Sequence, residues 1–312
     1  FAAGAFADTM EVATTWSRLQ DLHQSVRSAL GRRTVVMAHF SHAYREGCSI
    51  YFSFAGRGRT DVYDKTWRDA LAAARAAGGT VTHHHGVGTL KAVEAAREAG
   101  AAVRAWRTHK EQLDPSNLMN PGRLFPEEVE VDPGPPKPTT GPVFDLDPTS
   151  LLAEVDPDAE PSTIQEVLAA KGLQLRHLPD RSFGEWLRNL ERGALPHWET
   201  PLFAVQARFA DGTSARIGIS PRSAAGPDLR WSLLRQAKPE IVQVPVRPLD
   251  EMVIKLDPEG PDLGDLRPCW TSGNVCGFHT AAEPLAQLAG ETCTSDEQGA
   301  RPPVAPHRST KQ

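Results

Sequence analysis

Thr80-Val81-Thr82-His83-His84-His85-Gly86-Val87-Gly88-Thr89-Leu90-Lys91 sets three consecutive imidazoles between a helix and a glycine turn. Upstream, Thr66 to Ala77 is Ala-rich, with Trp67, Leu71 and Ala74 at helical spacing on one face. Gly78-Gly79 stops that helix. Thr80-Val81-Thr82 reads as a short strand, and Gly86-Val87-Gly88 as a turn where backbone can approach a ligand closely. Side chains alternate on extended backbone, so His83 and His85 are expected on one face and His84 on the other. The bland reading is an exposed, tag-like tract. Tags usually sit at a terminus, whereas this run lies between two structured signals. No further ligands at zinc spacing stand nearby in the sequence, so no metal is expected.

Working outward, Thr34 to Ser41 reads as a strand. In Cys48-Ser49-Ile50-Tyr51-Phe52-Ser53-Phe54 the alternation sends Ile50, Phe52 and Phe54 one way and Tyr51 the other. Thr14 to Leu30 carries an apolar stripe of Leu19, Leu22, Val26 and Leu30, so it reads as a helix preceded by Asp8 to Val12. A second helix is expected from about Leu90 to Gln112, followed by turns at Asp114-Pro115-Ser116-Asn117 and Asn120-Pro121-Gly122. The order α-β-β-α-β-α implies an α+β fold, an antiparallel sheet with helices on one face. Pro126 to Pro142 holds six prolines and reads as a linker. Beyond it, Ser150 to Val155, Leu173 to Leu178 and Glu240 to Val246 read as strands, and Pro161 to Lys171 as a helix. Leu202 to Phe209 and Thr213 to Ile219 flank Asp211-Gly212 as a hairpin. From about residue 251 the chain loses periodicity and is expected to be mostly disordered to residue 312.

With 312 residues there is room for two domains. A net charge of −5 offers no electrostatic footprint for nucleic acid or an anionic membrane. No apolar run approaches a membrane span and no signal peptide is visible, so a cytoplasmic location is expected. Cys48 reads as a packed strand thiol, and Cys269, Cys276 and Cys293 stand at no zinc spacing, which agrees with a reducing compartment. The chain opens on Phe1 rather than Met and reads as the downstream part of a longer reading frame.

Five segments in order then resemble a known family: Phe6 to Glu11, Thr15 to Arg18, Gly47 to Phe54, Gly78 to Gly88, and Leu113 to Gly122. Together they resemble the C-terminal substrate domain of FAD-linked oxidases, in the vanillyl-alcohol oxidase and p-cresol methylhydroxylase superfamily. Within it they look most like alkylglycerone-phosphate synthases, the flavoenzymes of ether-lipid synthesis. Five ordered motifs are far more specific than any one of them. The resemblance implies a ferredoxin-like substrate or cap domain over residues 1–125, the linker 126–142, and a degenerate FAD-domain-like α+β region over 143–250. Asp147 to Asp180 and Pro221 to Leu229 are similar to parts of a PCMH-type FAD-binding domain. A phosphate-cradling glycine loop would be expected at Arg181 to Leu187, but Glu185 stands there without a glycine pair.

The resemblance implies FAD as cofactor, an upstream FAD-binding domain as partner and a lipid-phosphate substrate. It leaves membrane-surface association and homodimerisation open. His84 is the expected proton-moving residue, because imidazole works near neutral pH, and Tyr51 matches the family's active-site tyrosine. His83, His85, Gly86, Gly88 and Asn120 are expected at substrate or cofactor. Arg57, Arg59 and Lys91 read better as a solvated face, and His39 and His42 as structural histidines. The rival enzyme is a D-lactate- or glycolate-type 2-hydroxyacid dehydrogenase. That branch carries a His-Gly-Asp-Gly-Asn-type metal motif where this chain has Glu46 to Tyr51, and a Glu where this chain has His84. A third reading is a non-catalytic cap fragment that needs a separate FAD-binding part.

Overall fold

Alternation along Gly47–Arg57 builds the centre of the first sheet, in a computed structural model that describes residues 4–124, 126, 141–190, 201–221, 223, 225–226, 228–249, 251–255, 270–272 and 275–279. That strand, β3, lies between β1 (Ala5–Thr15) and β2 (Thr34–Ser41), antiparallel to both, in the order β1-β3-β2. Ile50, Phe52 and Phe54 point to one face, where they are buried with Met10 and Val12. Helices α1 (Leu19–Gly31) and α2 (Thr60–Ala76) cover that face through Leu22, Val26, Leu30, Trp67, Ala70 and Leu71. Tyr51 faces the other way, as its place in the alternation requires.

Three expectations need correction here. The helix read from Thr14 begins too early, because the stretch from Asp8 to Thr15 is strand. That stretch lies inside β1, which pairs with β3 residue for residue from Ala5 to Thr15, and the helix proper starts only at Leu19. Pairing partners more than thirty residues away decide this strand, so local pattern could not show it. The expected helix from Leu90 to Gln112 is two helices, α3 (Ala92–Ala99) and α4 (Ala102–Leu113). Between them Gly100 takes φ +55°, a left-handed conformation that L side chains rarely adopt. The histidine run is not a strand. Only Thr80 bridges to β1, at Ala13, and the chain then leaves the sheet.

The second sheet has the order β4-β5-β9-β7-β8, with β6 pairing β9. Its strands are β4 (Val143–Asp147), β5 (Leu152–Val155), β6 (Leu173–Leu175), β7 (Ala204–Arg208), β8 (Ser214–Ile217) and β9 (Lys238–Pro248). The Asp211-Gly212 hairpin forms as read, β7 pairing β8 from Val205↔Ile217 to Arg208↔Ser214. Helices α5 (Pro161–Ala169), α6 (Phe183–Asn189) and α7 (Arg230–Gln236) bury Ile164, Leu168, Phe183, Leu187 and Leu233 against it. Strand β4 and helices α6 and α7 had no clear signature in the sequence. Both sheets belong to one compact unit, Phe1–Arg247. Ser17 joins them by donating to Asp147 Oδ2 at 2.5 Å.

Pro248–Gln312 forms a separate unit. Beyond Leu249, its described residues are strands β10 (Glu251–Lys255), β11 (Trp270–Ser272) and β12 (Val275–His279), antiparallel in the order β10-β12-β11. The remainder of the expected tail, and nearly all of the expected linker, lie outside the described residues. No described helix is long and apolar enough to cross a membrane.

Candidate active site

The register of the first sheet assembles the site. Glu11 on β1 stands directly opposite Tyr51 on β3, and His39 on β2 stands on its other side. Residues opposed in this way share a face, so a carboxylate and a phenol meet on the face away from the helices. Glu11 is fully buried, which a carboxylate tolerates only when its lone pairs are satisfied. Its Oε1 accepts the His84 backbone N–H at 2.6 Å, and its Oε2 accepts the Thr82 hydroxyl at 3.1 Å. Burial pushes its carboxyl up. Hydrogen bonds from the His83 side chain and from the backbone of His83 and His84, with the charge of Lys91, outweigh this and hold it at about 2.

Those bonds explain why the histidine run abandons the strand. The amide of His84 is satisfied by a side-chain carboxylate rather than by a neighbouring strand. His83 and His84 consequently both turn their Nδ1 atoms toward Glu11, at 3.4 and 3.1 Å. The expected alternation, with His83 and His85 together and His84 opposed, does not occur. His83 is buried and its Nε2 is hydrogen-bonded to the Tyr44 hydroxyl at 2.8 Å. His84 is exposed, and its Nε2 is hydrogen-bonded to the Tyr51 hydroxyl at 2.9 Å. His85 is exposed and packs edge-on against His84 and Tyr51, with ring centroids 4.6 and 5.5 Å away.

A fourth imidazole completes the group. His42 Nε2 lies 3.2 Å from the Tyr51 hydroxyl, and its ring stacks on His83 at 5.4 Å. His42 holds φ +47°, an uncommon backbone state for a residue with a side chain. The Tyr51 hydroxyl is thus hydrogen-bonded to two imidazoles, those of His42 and His84. Burial, then the charge of Glu11, raise its pKa and keep it a phenol. Sequence reading set His42 aside as structural and missed Glu11 and Tyr44 altogether. Glu11 carries no local signal, since its role comes from strand register.

The loop carrying the histidines is anchored from below. Glu98 on α3 accepts the Val81 N–H at 2.8 Å, the Thr80 hydroxyl at 2.8 Å and the Ser223 hydroxyl at 3.3 Å. Burial pushes the Glu98 carboxyl up to about 7, against the pull of those bonds and of the Arg75 charge. Gly86 and Gly88 sit at φ +76° and +57° with open space around them, as a turn beside the cluster requires. Lys91 is buried rather than solvated, and burial lowers its pKa. Its Nζ is 3.9 Å from Glu11 Oε2. Asn120 makes no hydrogen bond to the imidazoles. It lies exposed in a turn after α4 at φ +50°, its carbonyl accepting from the Arg123 N–H.

The cluster thus sets imidazoles, a phenol and a buried carboxylate within hydrogen-bonding reach of one another on one face of the sheet. Residues 2–124 match the family described as FAD linked oxidases, C-terminal domain. An alkyldihydroxyacetonephosphate synthase of Trypanosoma brucei brucei is 32% identical over 117 residues, covering 36% of this chain and 19% of its own. An uncharacterized FAD-linked oxidoreductase, YgcU, of Escherichia coli (strain K12) is 26% identical over 140 residues, covering 40% and 29%. A mitochondrial D-lactate dehydrogenase [cytochrome] of Arabidopsis thaliana is 44% identical over 52 residues, covering 16% and 9%. A solved alkyldihydroxyacetonephosphate synthase is 20% identical over 38% of this chain and 20% of its own, with a TM-score of 0.27. This chain spans less than a third of the length of these relatives. The matched family is FAD-linked, and FAD is the cofactor it indicates.

Residues 181–187 do not fit a pyrophosphate cradle. They enter helix α6, capped by the Ser182 hydroxyl, which accepts the Glu185 N–H at 3.4 Å. Phe183 and Leu187 are core residues, and the Gly184 N–H is spent on the Pro157 carbonyl at 2.8 Å.

Proposed function

We propose that this chain is the substrate-domain part of a FAD-dependent enzyme of the alkylglycerone-phosphate synthase type. Such an enzyme exchanges the acyl group of acyl-dihydroxyacetone phosphate for an alkyl group, in ether-lipid synthesis. The observation that carries the reading is the Tyr51 hydroxyl held between His84 and His42 above buried Glu11. Exchange at a carbon beside a carbonyl needs a group that takes a proton and returns it. His84 is the exposed imidazole that contacts both Glu11 and Tyr51, and it takes that proton. Ionised Glu11, 3.1 Å from His84 Nδ1, stabilises the positive charge that results. Tyr51 orients His84 and connects it to His42, so the proton has a place to go and a route back. FAD, when bound by another part of the protein, supplies the electron-accepting centre.

The 44% identity to a D-lactate dehydrogenase over 52 residues favours 2-hydroxyacid oxidation as a second reading. One experiment separates the two. The chain is produced together with the FAD-binding part of its protein and given acyl-dihydroxyacetone phosphate with a labelled fatty alcohol. Parallel samples receive D-lactate or glycolate with a dye acceptor. Label in the ether product supports the synthase reading. Dye reduction without label supports the dehydrogenase, and neither signal leaves a non-catalytic cap.

A further inference from the structure

Three donor atoms in this cluster face one another: Glu11 Oε1, His83 Nδ1 and His84 Nδ1. The two nitrogens are 2.8 Å apart, and they lie 3.4 and 3.1 Å from the carboxylate oxygen. A tetrahedral zinc ion with bonds of about 2.0–2.1 Å has ligand-to-ligand edges of roughly 3.3–3.4 Å. The observed triangle is within a few tenths of an ångström of that on two edges and slightly tight on the third. We propose that Glu11, His83 and His84 form a binding site for a zinc-like divalent transition-metal ion, with its fourth position open to solvent beside His84.

Each donor is already oriented from behind, as metal ligands are. His83 Nε2 is held by Tyr44 at 2.8 Å, and His84 Nε2 by Tyr51 at 2.9 Å. Glu11 Oε2 is held by Thr82 at 3.1 Å. When an ion occupies both Nδ1 atoms, each Nε2 carries the ring proton and donates it to a tyrosine oxygen. Without an ion, two nitrogens at 2.8 Å must share a proton. The ion takes that proton's place and releases it to solvent. Two imidazoles and one carboxylate select zinc, cobalt, nickel or copper over magnesium or calcium. The Lys91 charge, 3.9 Å from the far carboxylate oxygen, tempers the affinity without blocking the donor triangle. None of the three donors comes from Glu46 to Tyr51, where the dehydrogenase branch would carry its metal motif.

Occupancy would leave His84 Nε2 as a donor only, unable to take up a further proton. That consequence rests on the proton path proposed above; the site itself does not. The test uses the purified chain alone, titrated with Co²⁺ and followed by visible absorption, then displaced with Zn²⁺. The expected result is one ion per chain with intense tetrahedral-type bands, no displacement by Mg²⁺, and loss of the bands in His84→Ala. His85→Ala should bind as the parent does, and Glu11→Gln should bind at least ~10-fold more weakly. Should Glu11→Gln fail to fold, the comparison of His84→Ala with His85→Ala decides, since both side chains are exposed. No stoichiometric ion would overturn the proposal. So would equal losses in His84→Ala and His85→Ala, which mark an adventitious surface tract only.

Discussion

Glu98→Gln should change the pH dependence of stability rather than stability at one pH. Glu98 anchors the base of the histidine loop through Val81, Thr80 and Ser223. Its carboxyl is raised by burial from an ordinary 4.5 to about 7 in the folded chain. Below pH 4.5 it is protonated in both folded and unfolded chains, so it contributes nothing to the pH dependence. Between pH 4.5 and about 7 the unfolded chain releases the proton while the folded chain keeps it. Stability therefore falls as pH rises through that window, and stays low above it. At roughly 1.4 kcal/mol per pH unit, the full loss is about 3 kcal/mol. Glutamine cannot ionise and escapes it. The difference between variant and parent should thus shift by about 3 kcal/mol in the variant's favour between pH 4.5 and 8. For a unit of this size that corresponds to about 6–12 °C in Tm. Other titrating groups cancel in the comparison, and the Arg75 charge that faces Glu98 is the same in both proteins. Denaturant titrations of both proteins at pH 4.5, 6 and 8 measure it. A variant-to-parent difference that stays constant across the three pH values would show that Glu98 titrates normally and refute the argument.

In the enzyme supplied with its FAD-binding part, His84→Ala should lower the exchange rate ~10²–10⁴-fold, the usual contribution of a positioned acid–base group. Tyr51→Phe should also slow it while preserving the fold, since only the hydroxyl between His42 and His84 is lost; steady-state rates with bound flavin measured by absorbance check both. The chain alone should purify colourless and show no rise in Tm with added FAD, because a ligand that does not bind cannot shift the folding equilibrium. A stoichiometric yellow complex would contradict the reading of residues 181–187. Gly47→Ala should cost about 3 kcal/mol or more, since its Cβ would lie 2.0 Å from the Thr14 carbonyl oxygen where β1 meets β3; chemical denaturation measures this, and a loss under ~1 kcal/mol would mean that the strand pair yields easily.

How much of this was readable beforehand follows from what each feature depends on. Alternation in Cys48 to Phe54 identified β3 and assigned Tyr51 to the face opposite Ile50, because side chains on a strand alternate whatever their surroundings. The Asp211-Gly212 hairpin and α5 were equally legible, since turn chemistry and a proline at a helix start are local. The histidine run announced a site, and the order of five motifs matched it to FAD-linked oxidases. Tertiary structure alone decided the rest. Glu11 became the centre of the site because β1 pairs with β3 in the register that opposes Glu11 to Tyr51. It also unmade the expected histidine strand by taking the His84 amide. A carboxylate buried 72 residues upstream leaves no trace in the local pattern around His83, so neither the inward turn of both imidazoles nor the donor triangle they form could be read from sequence. Register and burial are properties of the folded chain, and they arranged the chemistry that local sequence could only announce.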